Sequence, residues 1–101
     1  MGRTVPVTLN TRSFASKGDA TLFFRAMLNR YRPGDRVSSA DAKDLAALLK
    51  LHTEHAQKVG AGIDHFEVMA ADHGTQCFRI LRSDGTSDDF SYIHCITPKR
   101  D

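Results

Sequence analysis

The side chains best able to do chemistry gather in the second half of this sequence. His52, His55 and Lys58 precede two glycines, Gly60 and Gly62, and Cys77, Asp84, Asp88, Asp89, Ser91, His94 and Cys95 follow. Three chemistries use such residues. A zinc site would draw on both cysteines and two imidazoles, and His52 and His55 are three apart, which can place them on one helical face. No Cys-x-x-Cys or His-x-x-x-His pair supports it, however, and buried structural thiols are the commoner use of isolated cysteines, so no metal or other cofactor is expected. A nucleophile–base pair would join Cys95 or Ser91 to His52 or His94, but residue types alone do not bring them together. Asp84, Asp88 and Asp89 are the carboxylates that magnesium-dependent phosphoryl chemistry would need. Asp84 is better read as a turn residue and Asp88 as a cross-strand partner of Arg82, which leaves Asp89 unexplained.

Lys58-Val-Gly-Ala-Gly62 is not a phosphate loop, because it lacks the Gly-Lys-Ser/Thr ending and its glycines precede a strand instead of a helix. The glycines suit a helix C-terminus at positive φ or a close backbone approach. A second cluster surrounds Pro33-Gly34, where Arg30, Tyr31, Arg32 and Arg36 combine guanidinium groups with an aromatic ring. That combination serves phosphate and base contacts, with a solvated loop part-neutralised by Asp35 as the alternative.

The elements that must position these residues can be read from hydrophobic spacing. Val5-Pro-Val-Thr-Leu9 is a short β-branched run whose proline restricts it to an edge strand or an extended lead-in. Asn10 to Ser16 reads as a polar loop anchored by Phe14. Ser16 and Asp19 mark a helix start, and Ala20, Phe23, Phe24, Met27, Leu28 and Tyr31 form its apolar stripe. Ser38 or Ser39 caps a second helix, with Ala42, Leu45, Leu48 and Leu49 on its inner face and His52 at its end. Ile63 to Ala70, Gln76 to Arg82 and Asp88 to Ile96 then alternate as strands. An odd loop, Asp84 to Thr86, would pair Ile80 with Phe90, Phe78 with Tyr92 and Arg82 with Asp88, since a one-residue slip reverses every face. The expected fold is α+β: two helices on one face of a three-stranded antiparallel meander, with a possible fourth, short N-terminal edge strand. Phe24, Leu49, Phe78 and Phe90 should share its interior.

Length and composition narrow the function. A chain of 101 residues is one domain's worth, expected to span 1–101 with an ordered core over 5–97. Fourteen basic against twelve acidic residues leave a net charge of +2, too little to imply nucleic acid without a local patch. No window approaches the roughly 20 apolar residues of a membrane span, so no membrane partner is expected. Two cysteines without a secretory start predict a reduced cytoplasmic protein.

An ordered series of residues resembles the conserved half of the defective-chloroplasts-and-leaves (DCL) family. It comprises His52, Lys58-Val-Gly-Ala-Gly-Ile63, Phe66, Val68, Cys77-Phe-Arg-Ile80, Arg82, Asp84-Gly85, Asp89-Phe-Ser-Tyr92 and Cys95. The first half is similar too, through Phe23-Phe24, Leu28-Asn-Arg-Tyr31, Gly34, Arg36-Val37 and Asp44-Leu-Ala-Ala-Leu-Leu49. The resemblance implies ribosomal-RNA maturation for plastid members, and a related domain ends plant-specific RNA polymerase largest subunits. With no transit peptide, and with Thr53 after His52 where plant members carry proline, this chain looks like a stand-alone bacterial member. The resemblance carries over no catalytic residue. The expected functional cleft is His52, Lys58, Gly60, Gly62, Arg82, Asp84, Asp89, Ser91 and Cys95, and the expected RNA-binding set is Arg30, Tyr31, Arg32, Arg36 and Lys58. RNA or a ribonucleoprotein is the first expected partner and another protein the second. Hydrolysis or group transfer by His52, Lys58, Asp89 and Ser91 is third.

Overall fold

The computed structural model describes residues 6–52 and 54–96, so the expectations placed on Val5, Thr53 and the tail from Thr97 to Asp101 fall outside it. The chain runs β1 (Val7–Thr8), β2 (Ser13–Phe14), α1 (Lys17–Asn29), α2 (Ser39–Leu49), α3 (His55–Val59), β3 (Ile63–Ala70), β4 (Gln76–Arg82), β5 (Ser87–Phe90) and α4 (Tyr92–Ile96). It is an α+β fold in which β3, β4 and β5 form an antiparallel meander in that order.

The two long helices begin where their caps direct. Ser16 Oγ accepts the Asp19 amide at 3.1 Å, and Ser38 Oγ accepts the Asp41 amide at 3.2 Å, each satisfying a donor that the first turn leaves unpaired. Beyond the caps, α1 buries Ala20, Phe24, Met27 and Leu28, and α2 buries Leu45, Ala47, Leu48 and Leu49. Asp44 is buried as well and is held by Arg12, whose guanidinium bonds its carboxylate at 3.0 and 3.2 Å and lies 4.5 Å over the Phe23 ring. Phe24, Leu49, Phe78 and Phe90 share one interior with Phe66, Val68 and Ile80 from the sheet.

Four details differ from the spacing-based reading. First, the N-terminal strand does not join the meander: Val7 pairs with Phe14 and Thr8 with Ser13, so part of the expected loop is the second arm of a separate hairpin. Second, the last strand stops at Phe90. Ser91 Oγ accepts the His94 amide at 3.2 Å and starts a helix that buries Cys95 and Ile96, so Cys95 is not beside Cys77 in the sheet. Third, α3 is a separate short helix between α2 and the sheet.

The fourth difference is register. The loop is odd, as expected, but consists of Ser83 to Gly85: Arg82 N donates to Thr86 O at 2.8 Å and Gly85 sits at φ +88°. Asp84 Oδ1 accepts both the amide and the hydroxyl of Thr86, which closes the turn early. Phe78 therefore faces Phe90 and Ile80 faces Asp88, a slip of two residues that leaves every side chain on its expected face.

Both outer strands of the meander are occupied. Along β3, Gly34 N donates to Val68 O, Val68 N to Asp35 O and Val37 N to Phe66 O, so the arginine turn is stitched onto that edge. Along β5, Lys58 Nζ donates to Asp89 O at 2.9 Å. At the start of β3 the register shifts between Ile63 and His65, making Asp64 a bulged residue. The extra residue lets Ile63, opposite Arg82, share a face with Phe66 and Val68. No helix among the described residues is long and apolar enough to cross a membrane.

Candidate functional site

A three-way knot joins the glycine elbow to the last hairpin. Lys58, in the final turn of α3, reaches Asp88 Oδ2 at 3.1 Å as well as the Asp89 carbonyl. Arg82 meets the same carboxylate at 3.4 Å, and its Nε donates to Lys58 O at 2.9 Å. Its other nitrogens donate to Thr86 Oγ1 and Gln57 O. Burial works against the Asp88 charge, but the Lys58 ammonium and then the Asp89 amide and Arg82 outweigh it, holding the carboxyl below its usual range. Gly60 passes beside this knot at φ +54° and ψ −122°, and a Cβ there would lie 3.0 Å from Arg82 Cδ and Nε. Gly62 follows, its carbonyl accepting the Ser83 amide at 2.9 Å.

The knot forms one wall of a cleft of about 690 Å³ lined by His52, Lys58, Cys77, Asp89, Ser91 and His94. His52 is 8% exposed, and its Nδ1 accepts the Glu54 amide at 2.9 Å. That bond places the ring proton on Nε2. Burial, and then His94 and Lys58, press the His52 pKa below its ordinary value, so the imidazole stands neutral. The His94 ring lies beside it, with centroids 4.5 Å apart. Leu28, Phe90, Tyr92 and Ile93 supply apolar wall, giving a site suited to a ring or chain with a few polar groups.

Of the expected cleft residues, His52, Lys58, Asp89 and Ser91 line the cleft together, whereas Gly60, Gly62 and Arg82 do not line it; Arg82 supports Lys58 by bonding its carbonyl, with Gly60 packed beside Arg82. Asp84 is at the exposed hairpin tip, occupied by Thr86, and Cys95 is in the core. Burial pushes the Cys95 thiol up to about 12, which removes it as a nucleophile near neutral pH. His52 Nδ1 is turned to the backbone, and Ser91 Oγ is engaged as a helix cap. Among the described residues, no group of three or more His, Cys, Asp or Glu side chains is placed to hold a metal ion.

The arginine turn adjoins the cleft. Gln76, on the cleft wall, donates through Nε2 to Leu28 O at 2.7 Å and to Tyr31 O at 2.8 Å, tying the end of α1 to the start of β4. The turn's side chains divide into two groups. Arg30 bonds Asp41 at 2.7 Å and Tyr31 OH bonds the same carboxylate at 2.6 Å. Burial opposes the Asp41 charge, yet these bonds and one from Ser38 hold its pKa down. Arg32 and Arg36 enter no ion pair among the described residues. Lys58 sits apart from all four, inside the knot. Gln76 escaped sequence reasoning because a side chain reaching carbonyls 45 and 48 residues away leaves no local signal.

Fold and site together define a small α+β domain in which a cationic turn and a glycine elbow flank one mostly apolar cleft. The chain belongs to the family described as "Protein of unknown function (DUF3223)", whose model matches residues 25–96. It is 37% identical over 79 residues to Protein DCL, chloroplastic, of Solanum lycopersicum, covering 73% of this chain and 35% of that protein. It is 30% identical over 98 residues to DNA-directed RNA polymerase IV subunit 1 of Arabidopsis thaliana, covering 94% of this chain and 7% of that subunit. The chain thus spans only a small part of these relatives' length. The solution NMR structure of an uncharacterized protein from Rhodospirillum rubrum is similar with a TM-score of 0.86 at 48% identity, covering 94% of this chain and 91% of the other. The DCL resemblance read from the residues is therefore supported over 73% of the chain.

Proposed function

We propose that this domain is an RNA- or ribonucleoprotein-binding module linked to ribosomal-RNA maturation. The arginine turn makes the phosphate contacts, and the cleft beside it accepts unstacked bases or sugars. One observation carries the reading: the Gln76 side chain on the cleft wall bonds Leu28 O and Tyr31 O, so the start of the arginine turn adjoins a ring-sized, mostly apolar cleft. Single-stranded RNA is held by that pairing of cationic track and stacking surface. A relative that is a subunit of an RNA polymerase supports the setting.

The test is affinity for a single-stranded ribosomal-RNA fragment across a salt series. Binding should weaken with salt, and Arg32→Gln or Arg36→Gln should each reduce the logarithmic slope by about 0.7. No binding at low salt, or a slope insensitive to both substitutions, refutes the reading.

A protein-interaction module is the second reading, favoured by Ile93, which is 49% exposed on the apolar side of the cleft. Partners that survive nuclease treatment and are lost on Ile93→Asp would select it over RNA.

A further inference from the structure

A second groove, of about 350 Å³, lies between α2 and the start of β3, away from the cleft. Its floor is apolar, formed by Val37, Ala42, Ala46, Ile63 and Phe66, and its rim carries Arg36, Lys43 and His65 together with Ser39 and the Asp64 carboxylate. We infer that this groove is a binding site for a phosphate ester, gripped by Arg36 and Lys43 with the ester's carbon part on the apolar floor.

Three observations converge. The first is shape: the bulge at Asp64 turns Ile63 towards the helices, and α2 meets it with two alanines, so a hollow remains where larger side chains would fill it. The second is unspent charge. Arg12, Arg30, Lys58, Arg79 and Arg82 each hold a carboxylate, but Arg36 and Lys43 enter no ion pair among the described residues. The third is the disposition of nearby acids. Asp64 and Glu67 bond the two ring nitrogens of His65, and Glu67 also holds Arg79 at 3.0 Å. With His65 protonated, both carboxylates on β3 are matched by cations, and the charges of Arg36 and Lys43 remain for a ligand. The Glu67 and Asp64 bonds favour that imidazolium.

A guanidinium fork and an ammonium suit the oxygens of a phosphate better than a lone carboxylate. The volume is at the small end for ligand sites, matching one phosphorylated sugar or nucleoside. The phosphate can belong to a free small molecule or to an RNA backbone. The site shares Arg36 with the arginine turn, so Lys43, outside both the turn and the cleft, is the residue that separates it from the RNA reading.

The test is calorimetric titration of the intact chain with adenosine 5′-monophosphate and, separately, with an RNA oligonucleotide lacking terminal phosphates. Adenosine 5′-monophosphate should bind, and Arg36→Gln and Lys43→Gln should each weaken it about tenfold. Ala46→Leu, which fills the floor without changing charge, should weaken it as well. Loss of RNA affinity on Lys43→Gln assigns the phosphate to the backbone, and RNA affinity unmoved while the monophosphate is lost assigns it to a free ester. Lys43→Gln is on an exposed helix position, so a folded variant is expected. If the monophosphate fails to bind and RNA affinity ignores Lys43, the inference is overturned while the RNA reading survives. Monophosphate binding through Lys43 without any RNA binding would do the opposite.

Discussion

Replacing Gly60 with alanine tests whether the elbow is held by the knot beneath it. At φ +54° and ψ −122°, an L side chain occupies a sparsely populated backbone region, at a cost of about 1–3 kcal/mol. The added Cβ would also lie 3.0 Å from Arg82 Cδ and Nε. A free arginine would swing away, but this one is 12% exposed and bonded to Lys58 O, Thr86 Oγ1, Gln57 O and Asp88. Moving it breaks one or two of those bonds, at about 1 kcal/mol each. Gly60→Ala should therefore lower stability by about 2–5 kcal/mol, measured as a shift of the urea midpoint at unchanged slope. In an Arg82→Ala background the clash is gone, so the cost of Gly60→Ala should fall to the backbone part alone, about 1–3 kcal/mol. Equal costs in the two backgrounds, or a cost below about 0.5 kcal/mol in the parent, would refute the packed elbow.

Three further outcomes are expected. Gln76→Ala should cost about 1–3 kcal/mol in urea unfolding, because it strips two carbonyls at the end of α1 of their donor. Ser91→Ala should cost about 1 kcal/mol as the loss of a helix cap, with amide shift changes centred on α4. In a histidine NMR titration, His52 should titrate below the ordinary value of 6.5 and His65 above it. The signs for stability are opposite: the His52 contribution is present above about 6.5 and lost as pH falls below it. The His65 contribution is complete below about 6.5 and lost as pH rises through the raised folded value.

The fold was legible wherever a local pattern and the tertiary contacts agreed. Ser16 and Ser38 announced their helices, and the alternation of Phe66, Val68, Phe78 and Ile80 announced the sheet. The misreadings fall where two periods competed. Asp88, Phe90 and Tyr92 continue a strand alternation, but Tyr92, Cys95 and Ile96 also keep helical spacing behind a capping serine, and burial of Cys95 and Ile96 decided for the helix. The register slipped because the turn chemistry of Asp84 and Gly85, rather than the apolar faces, sets which residue closes the loop; both registers satisfy the faces equally.

The candidate site was legible in part for the same reason. His52, Lys58, Asp89 and Ser91 stand out in the sequence as polar groups without a packing role, and they do converge. Arg82 and Asp84 stood out equally, but one supports Lys58 from behind and the other caps its own turn. Nothing local in the sequence signals that Arg30 and Tyr31 are tied to Asp41 while Arg36 enters no ion pair among the described residues, because ion pairing depends on side chains brought together by the fold.

In the proposed function the arginine turn and the adjoining cleft bind RNA together. Amide shift mapping of the intact chain with a single-stranded ribosomal-RNA fragment tests it most directly. The expected footprint runs from Tyr31 through Val37 across Gln76 to Ser91 and His94. A footprint on β1, β2 and the outer face of α1, or none at low salt, would contradict it.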